Sequence, residues 1–449
     1  MLYDFIRGKM EKFKDQTLSD ESRTISYLQA LDLAEIFAQK LIQPKYGILC
    51  ESELNTGLGL LACLKANITA VPLSARYGKA HTTRIIKHTG ISHIITDEGG
   101  QLAIKQITES SPEHEDLSDT ALIMCTSGTT GMPKGAMITH ENLITNLLDI
   151  ERYFAIGTSD TILIARPLYH CAVLTGEFLI SLCRGLNVRF YNGDFNPVRL
   201  LREIEAYGTT VLGGTPTLFY HLCQTAGRSK QPLSLKTVAV SGECMTESVA
   251  KTMRTTLPKT KIYNVYGLTE ASPRVSALPP GQFDEYPPSV GFPLKSVETR
   301  TENGELLIRG KTIMKGYYND PVQTAKVLSN GWLHTGDGAA IDSDGKITIK
   351  GRLDNMIIRA GMNIFPQEIE STLKADPRVI DAMVYGEQNG VTQRLCVKIA
   401  ANGLAKHDVM AICLELLPAY EIPDVVEFVE FLPRNASGKL LRPKVVKAS

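Results

Sequence analysis

The feature that most constrains the fold is an alternation of two kinds of segment. Short apolar runs rich in β-branched residues, several ending in glycine, are separated by stretches with apolar residues at helical spacing. Strands are predicted over 46–50, 70–73, 93–96, 161–165 and 187–190, and helices over 27–41, 58–65, 82–88, 175–183 and 198–207. Two further strands, 210–214 and 237–242, run directly into glycine. This pattern predicts an α/β chain built on doubly wound, largely parallel sheets covered on both faces. Ligands collect at the carboxyl ends of such strands, so the glycine exits predict one shared crevice. The acidic segment 98–119 reads as a surface connection. From Ser289 onward short strands at 305–309, 331–338 and 346–350 predict a small β-rich portion. A compact α+β segment follows, with helices at 366–374 and 407–416 and strands at 380–385 and 394–399.

The crevice has a candidate anion holder. The apolar run Ala121-Leu122-Ile123-Met124-Cys125 leads into Thr126-Ser127-Gly128-Thr129-Thr130-Gly131-Met132-Pro133-Lys134-Gly135, and a helix is predicted over 142–150. A strand feeding a glycine- and hydroxyl-rich turn that opens toward a helix suits polyphosphate. Glycines let the backbone approach, N–H groups and hydroxyls donate, and Lys134 adds a point charge. Taken alone, the run is equally a plain polar loop. It is not a Walker loop, because Gly135 stands where the metal-binding Ser or Thr belongs. A metal ligand must come from elsewhere.

Composition removes other classes. Across 449 residues, Lys plus Arg and Asp plus Glu balance at 48 each, so no net field draws nucleic acid or an anionic membrane. The length predicts more than one domain. Charges break the first residues where a signal peptide needs an apolar core, and Leu58-Gly59-Leu60-Leu61-Ala62-Cys63-Leu64 stops at Lys65, far short of a membrane span. The nine cysteines are scattered without a Cys-x-x-Cys pair and read as small buried hydrophobes in a reducing, cytoplasmic setting.

Five separated segments in fixed order resemble the adenylate-forming superfamily, in its acyl-CoA synthetase and aryl-acid ligase branch. They are 126–135, Asn264-Val265-Tyr266-Gly267-Leu268-Thr269-Glu270, Gly331-Trp332-Leu333-His334-Thr335-Gly336-Asp337, Gly351-Arg352-Leu353-Asp354 and Asn435-Ala436-Ser437-Gly438-Lys439. The resemblance runs over nearly the whole chain. It implies an ATP-dependent acid:CoA ligase with two half-reactions, in which a carboxylate attacks the α-phosphate of ATP and a thiol then displaces AMP. It also implies a large N-terminal domain, 1–353, and a mobile C-terminal domain, 354–449, turning about Asp354. Thr126, Ser127, Gly128, Thr129, Thr130 and Lys134 are then expected to hold phosphates, and Glu270 to bind Mg²⁺. Thr269 would contact the α-phosphate, Asn264, Tyr266 and Gly267 the nucleotide, Asp337 the ribose, and Arg352 the ribose or a phosphate. Lys439 is expected to bridge the attacking carboxylate and the α-phosphate, as a mobile cation can. Gly361 would line the thiol entry.

For the acid, the resemblance points to Tyr169, His170, Val173, Gly213, Gly214, Thr215, Val265 and Gly267. Ser241, Gly242 and Glu243 are expected, by the same resemblance, to line that pocket and to bind the nucleotide. His170 is equally a packed neutral histidine. The run Pro167-Leu168-Tyr169-His170-Cys171-Ala172-Val173-Leu174 offers no carboxylate to pair with an α-ammonium, which favours an acid without an α-amino group. The expected partners are a small carboxylic acid and CoA, or a separate carrier protein's phosphopantetheine; no carrier domain is expected after Lys439. A homodimer is compatible with the sequence. The stretch before Thr126 is short for the family. A non-catalytic nucleotide-binding relative would be expected to lack Lys439 or Glu270, and both are present.

Overall fold

The computed structural model describes the chain except residues 75–78, 110–114, 128–132, 230–232, 360–361, 390–391, 435–439 and 444–449, and except the side chains of 79–80, 126–127, 229, 358, 363, 388–389 and 392. Two large sheets carry the first three quarters of the chain. In the larger one the strands Thr17–Ser19, Asn187–Phe190, Thr161–Ile164, Val211–Gly214, Thr237–Val240 and Lys261–Gly267 lie side by side and parallel. Beyond Lys261–Gly267 the same sheet turns antiparallel through Arg274–Leu278, Ser289–Pro293, Ile347–Arg352, Trp332–Ile341, Glu305–Gly310 and Val297–Glu302. The predicted β-rich portion is therefore an extension of the parallel sheet and shares its hydrogen-bond ladder.

The second sheet centres on Lys45–Ile48, flanked in parallel by Thr69–Pro72 and His93–Glu98. One apolar core joins the two sheets. The helix Glu53–Ala66 shows why. It is buried continuously from Leu54 to Leu64, begins where the Ser52 hydroxyl accepts from Asn55 N at 3.2 Å, and ends at Asn67 in the left-handed conformation. A helix buried all round belongs between layers. Each fully buried leucine there stabilises the fold by about 2 kcal/mol.

Three expectations change. Segment 98–119 contains the edge strand Gln101–Gln106, paired antiparallel with His93–Glu98. The single helix expected over 175–183 is a composite running from Cys171 to Arg184, with a wider π turn over Leu174–Leu179. The loop after Thr120–Ser127 does not open onto a helix. The chain returns as Pro133–Thr139, antiparallel to the strand before the loop, with Thr126 opposite Lys134. The helix His140–Tyr153 begins only after that strand, capped by Thr139. The loop joins the two strands of a hairpin, so no helix N-terminus adjoins it.

From Ile357 a smaller body has its own core of Ile369, Leu373, Val384, Leu395, Val397, Val409 and Cys413. Its sheet pairs Val379–Asn389, Thr392–Ala401 and Val425–Phe428, packed by the helices Pro366–Lys374 and Lys406–Leu416.

Candidate active site

The strand Trp332–Ile341 and its neighbour Ile347–Arg352 place Asp337 opposite Arg352. Arg352 Nη1 donates to Asp337 Oδ1 at 3.3 Å and to the Thr335 carbonyl at 2.9 Å, and the Tyr266 hydroxyl donates to Asp337 Oδ2 at 2.5 Å. Asp337 is 9 % exposed, and burial raises its carboxyl above the usual range against the pull of Arg352. Tyr266 is raised as well, first by burial and then by the Asp337 charge. The side chains of three separate strands thus form one corner, whose carboxylate oxygens keep lone pairs for further donors.

Glu270 lies in the short turn Thr269–Ala271 between the ladder partners Lys261–Gly267 and Arg274–Leu278. Its Oε1 accepts from the Tyr317 hydroxyl at 2.7 Å, and Lys134 Nζ sits 5.2 Å from the centroid of the same Tyr317 ring. Tyr317 reaches both because Gly316–Tyr317 pairs with Pro133–Thr139, next to the phosphate-loop hairpin. The Glu270 charge also helps raise Asp337, so Lys134, Glu270 and Asp337 border one region. Tyr317, which organises it, went unnoticed in the sequence, where Gly316-Tyr317-Tyr318 carries no motif.

Several residues expected to line an acid pocket lie at or just after neighbouring strand ends. His170 precedes the first turn, Cys171–Val173, and its ring lies 4.0 Å from that of buried Tyr169, while its carbonyl accepts from Val173 N at 2.9 Å. Gly213 packs directly against the Glu177 carboxylate, so any side chain there would displace it. Gly267 meets the Pro273 carbonyl just as tightly. Val265 is buried, and buried Ser241 Oγ has no hydrogen-bond partner among the described residues.

Other expected residues have local work. Thr215 Oγ1 accepts from Leu218 N at 3.1 Å, at the start of the helix Pro216–Ser229 that follows Gly214. Glu243, next to Gly242, accepts from the Thr217 hydroxyl at 2.6 Å. Asn264 is 1 % exposed and donates to the carbonyls of Pro287 and Ser289, which holds the next strand in place. Thr269 is half-buried beside Glu270, and Asp354 is exposed at the end of the Arg352 turn, where Arg352 Nη2 reaches it at 3.5 Å. Gly128, Thr129, Thr130, Gly361 and Lys439 lie outside the described residues, as do the side chains of Thr126 and Ser127. Around Lys439 the flanking chain is anchored: Arg434 bridges Leu440 and pairs with Asp381, and Arg442 Nη2 pairs with buried Glu370 at 2.8 Å.

Residues 6–318 match the family model for the AMP-binding enzyme, and residues 368–439 match that for the AMP-binding enzyme C-terminal domain. Feruloyl-CoA synthase of Amycolatopsis sp is 31% identical over 419 residues, covering 86% of this chain and 85% of the relative. Long-chain-fatty-acid–CoA ligase of Yersinia pestis is 32% identical over 342 residues, covering 72% of this chain and 61% of that protein. Among solved structures, O-succinylbenzoate coenzyme A synthetase from Bacillus subtilis in complex with AMP superposes with a TM-score of 0.86 at 25% identity, covering 99% of this chain and 98% of that one. The same enzyme in complex with ATP and magnesium ion gives 0.85 at 25% identity, covering 98% of each chain. The chain belongs to the AMP-binding enzyme family, in its branch of acyl- and aryl-CoA synthetases. Among the described residues no helix is long and apolar enough to cross a membrane.

Proposed function

We propose that this chain is an ATP-dependent acid:CoA ligase whose nucleotide sits between the Asp337 corner and the Lys134–Tyr317–Glu270 group. In the first half-reaction a carboxylate oxygen attacks the α-phosphorus of ATP, an acyl C–O–P linkage forms and pyrophosphate leaves. In the second, a thiol sulfur attacks the acyl carbon, AMP leaves, and the thiol proton passes to solvent. The first step brings together two anions, so the site must hold them in line and offset their charge.

The chain's own groups suit that task. Asp337 accepts the two ribose hydroxyls, with Arg352 and Tyr266 fixing its orientation. Lys134 faces the polyphosphate from the hairpin. Thr269 and His170 border the reacting centre, and Lys439 supplies the cation nearest the attacking oxygen. Among the described residues no set of three or more potential ligands could cage a metal by itself. Glu270, with one oxygen held by Tyr317, fits a magnesium ion that takes its remaining ligands from phosphates and water. When bound, that ion offsets triphosphate charge. The C-terminal body, 354–449, turns about Asp354 between the half-reactions and brings Gly361 to the thiol. The acid lacks an α-amino group, and the nine free cysteines suit a reducing compartment such as the cytoplasm.

The observation that carries this reading is the meeting of Lys134 and Glu270 on one tyrosine, beside Asp337. ATP–pyrophosphate exchange across fatty, aromatic and dicarboxylic acids tests it, followed by AMP release with CoA or with a phosphopantetheinylated carrier protein. Exchange with at least one acid and CoA-dependent AMP release are expected. Release with the carrier protein alone would move the acceptor. Lys439→Ala should abolish exchange while sparing transfer from synthetic acyl-adenylate; intact exchange with failed transfer would overturn its assigned role.

A further inference from the structure

The strand Arg274–Leu278 is buried along its whole length, and it begins with an arginine. Arg274 is 2 % exposed and its Nε has no hydrogen-bond partner. Among the described residues no carboxylate ion-pairs with its guanidinium and no carbonyl accepts from it. Only its backbone is engaged, donating to Asn146 Oδ1 at 3.3 Å and accepting from Asn146 Nδ2 at 2.8 Å. A guanidinium withdrawn from water is tolerated where an anion meets it.

Its position says where that anion comes from. Arg274 stands opposite Gly267 in the ladder. Its Nη2 lies against Gly176 in the turn Leu174–Leu179, only 2.6 Å from where a side chain on that glycine would begin. The next residue, Glu177, is 1 % exposed, pairs through Oε1 with Arg166 Nη2 at 2.5 Å, and packs on Gly213. Among the described residues Glu177 Oε2 and Arg166 Nε have no hydrogen-bond partners either. Arg166 thus pairs with the buried carboxylate beside Gly213, while Arg274 lies against Gly176 and opposite Gly267, next to the proposed walls of the acid pocket.

The titratable neighbours do not restore the balance. Burial pushes the Cys171 thiol up to about 12 and raises the Tyr153 hydroxyl, so both stay neutral. Glu270, the carboxylate in range of Cys171, is held by Tyr317, and Asp149, the carboxylate in range of Tyr153, is held by Arg152 and Ser296.

We propose that the acid activated here carries a second carboxylate, seated on Arg274, so that the preferred substrate is a dicarboxylic acid. This rests on the acid-ligase reading above. A planar guanidinium suits a carboxylate, because it can donate two parallel hydrogen bonds.

The test is pyrophosphate exchange by the full chain with matched pairs of aliphatic and aromatic acids, each dicarboxylic acid set against the monocarboxylic acid of the same skeleton. At least one dicarboxylic acid should exceed its partner in kcat/KM by about 100-fold. Arg274→Met should erase that ratio through the KM for the acid, with the KM for ATP unchanged. Arg274→Lys, which keeps a cation if the methionine variant fails to fold, should retain the preference with a ratio reduced about 10-fold. Monocarboxylic acids winning every pair would overturn the proposal. So would an equal loss on both members of a pair in Arg274→Met, which would assign the arginine to the reacting carboxylate. Exchange with no acid at all would remove the ligase reading itself and this proposal with it.

Discussion

The ribose corner and the acid pocket sit on the same large sheet, but their polar groups are treated differently. At the corner, Asp337 is bonded by Arg352 and Tyr266 and Glu270 is held by Tyr317, so the chain's own groups fix the geometry. At the proposed pocket, buried Arg274, Glu177 and Ser241 and half-buried Arg166 each keep an atom with no hydrogen-bond partner among the described residues. A mutually satisfied network fixes a shape that every turnover reuses. Unsatisfied buried groups discriminate, since a ligand lacking the right partner leaves them unpaired. The proposed nucleotide site is therefore held by its own contacts, while the proposed acid site leaves polar atoms for a ligand to meet.

Substitutions on the two sides should separate these roles. The largest effect is expected for Asp337→Asn, which replaces the proposed acceptor of two ribose hydroxyls. The KM for ATP should rise about 100-fold while the KM for the acid stays within about 3-fold, read by exchange kinetics. The pH dependence follows from the raised carboxyl of Asp337. As pH falls into the range just above ordinary carboxylates, the protonated form accumulates and ATP binding weakens; Asp337→Asn should flatten that limb. Unfolding would not mimic it. A group whose folded value is raised stabilises the native state fully below its unfolded value, and that contribution fades as pH rises through the folded value. A wild-type KM for ATP constant across that range would break the assignment.

Gly213→Ala comes next. The new methyl must push the Glu177 carboxylate away from its seat, so the KM for the acid should rise about 10-fold with ATP binding little changed. An equal rise for both reactants would mean that pocket and corner are mechanically one unit. The smallest effect is expected for Tyr317→Phe, which removes one hydrogen bond to Glu270: about a 5-fold loss of exchange rate, with a higher magnesium requirement in titration.

The sequence made much of this legible, and the misses have physical causes. Runs such as Thr161-Ile162-Leu163-Ile164 are apolar enough to read as central strands, and they are. Gln101–Gln106 is a half-exposed edge strand with little apolar contrast, so it reads as a connection. Pro133–Thr139 is visible in buried Ala136-Met137-Ile138, but a lysine after a glycine-rich loop also fits a phosphate loop entering a helix, and only long-range pairing decides between them. The widened turn over Leu174–Leu179 breaks no local pattern. At the site, Asp337, Glu270 and Tyr266 were legible through motifs. Arg274 was not, although an arginine opening the buried run Arg274-Val275-Ser276-Ala277-Leu278 was the available signal. Tyr317 left none, because its role comes from pairing across the second sheet.

The ladder pairing of Gly267 with Arg274 has a consequence for how such a chain diversifies. The contact between Gly267 and the Pro273 carbonyl fixes the main chain of this turn independently of the guanidinium that follows. Exchanging that one group can therefore redirect which molecules are accepted while the neighbouring glutamate keeps its place. The choice of acid is thereby uncoupled from the backbone of the turn beside it.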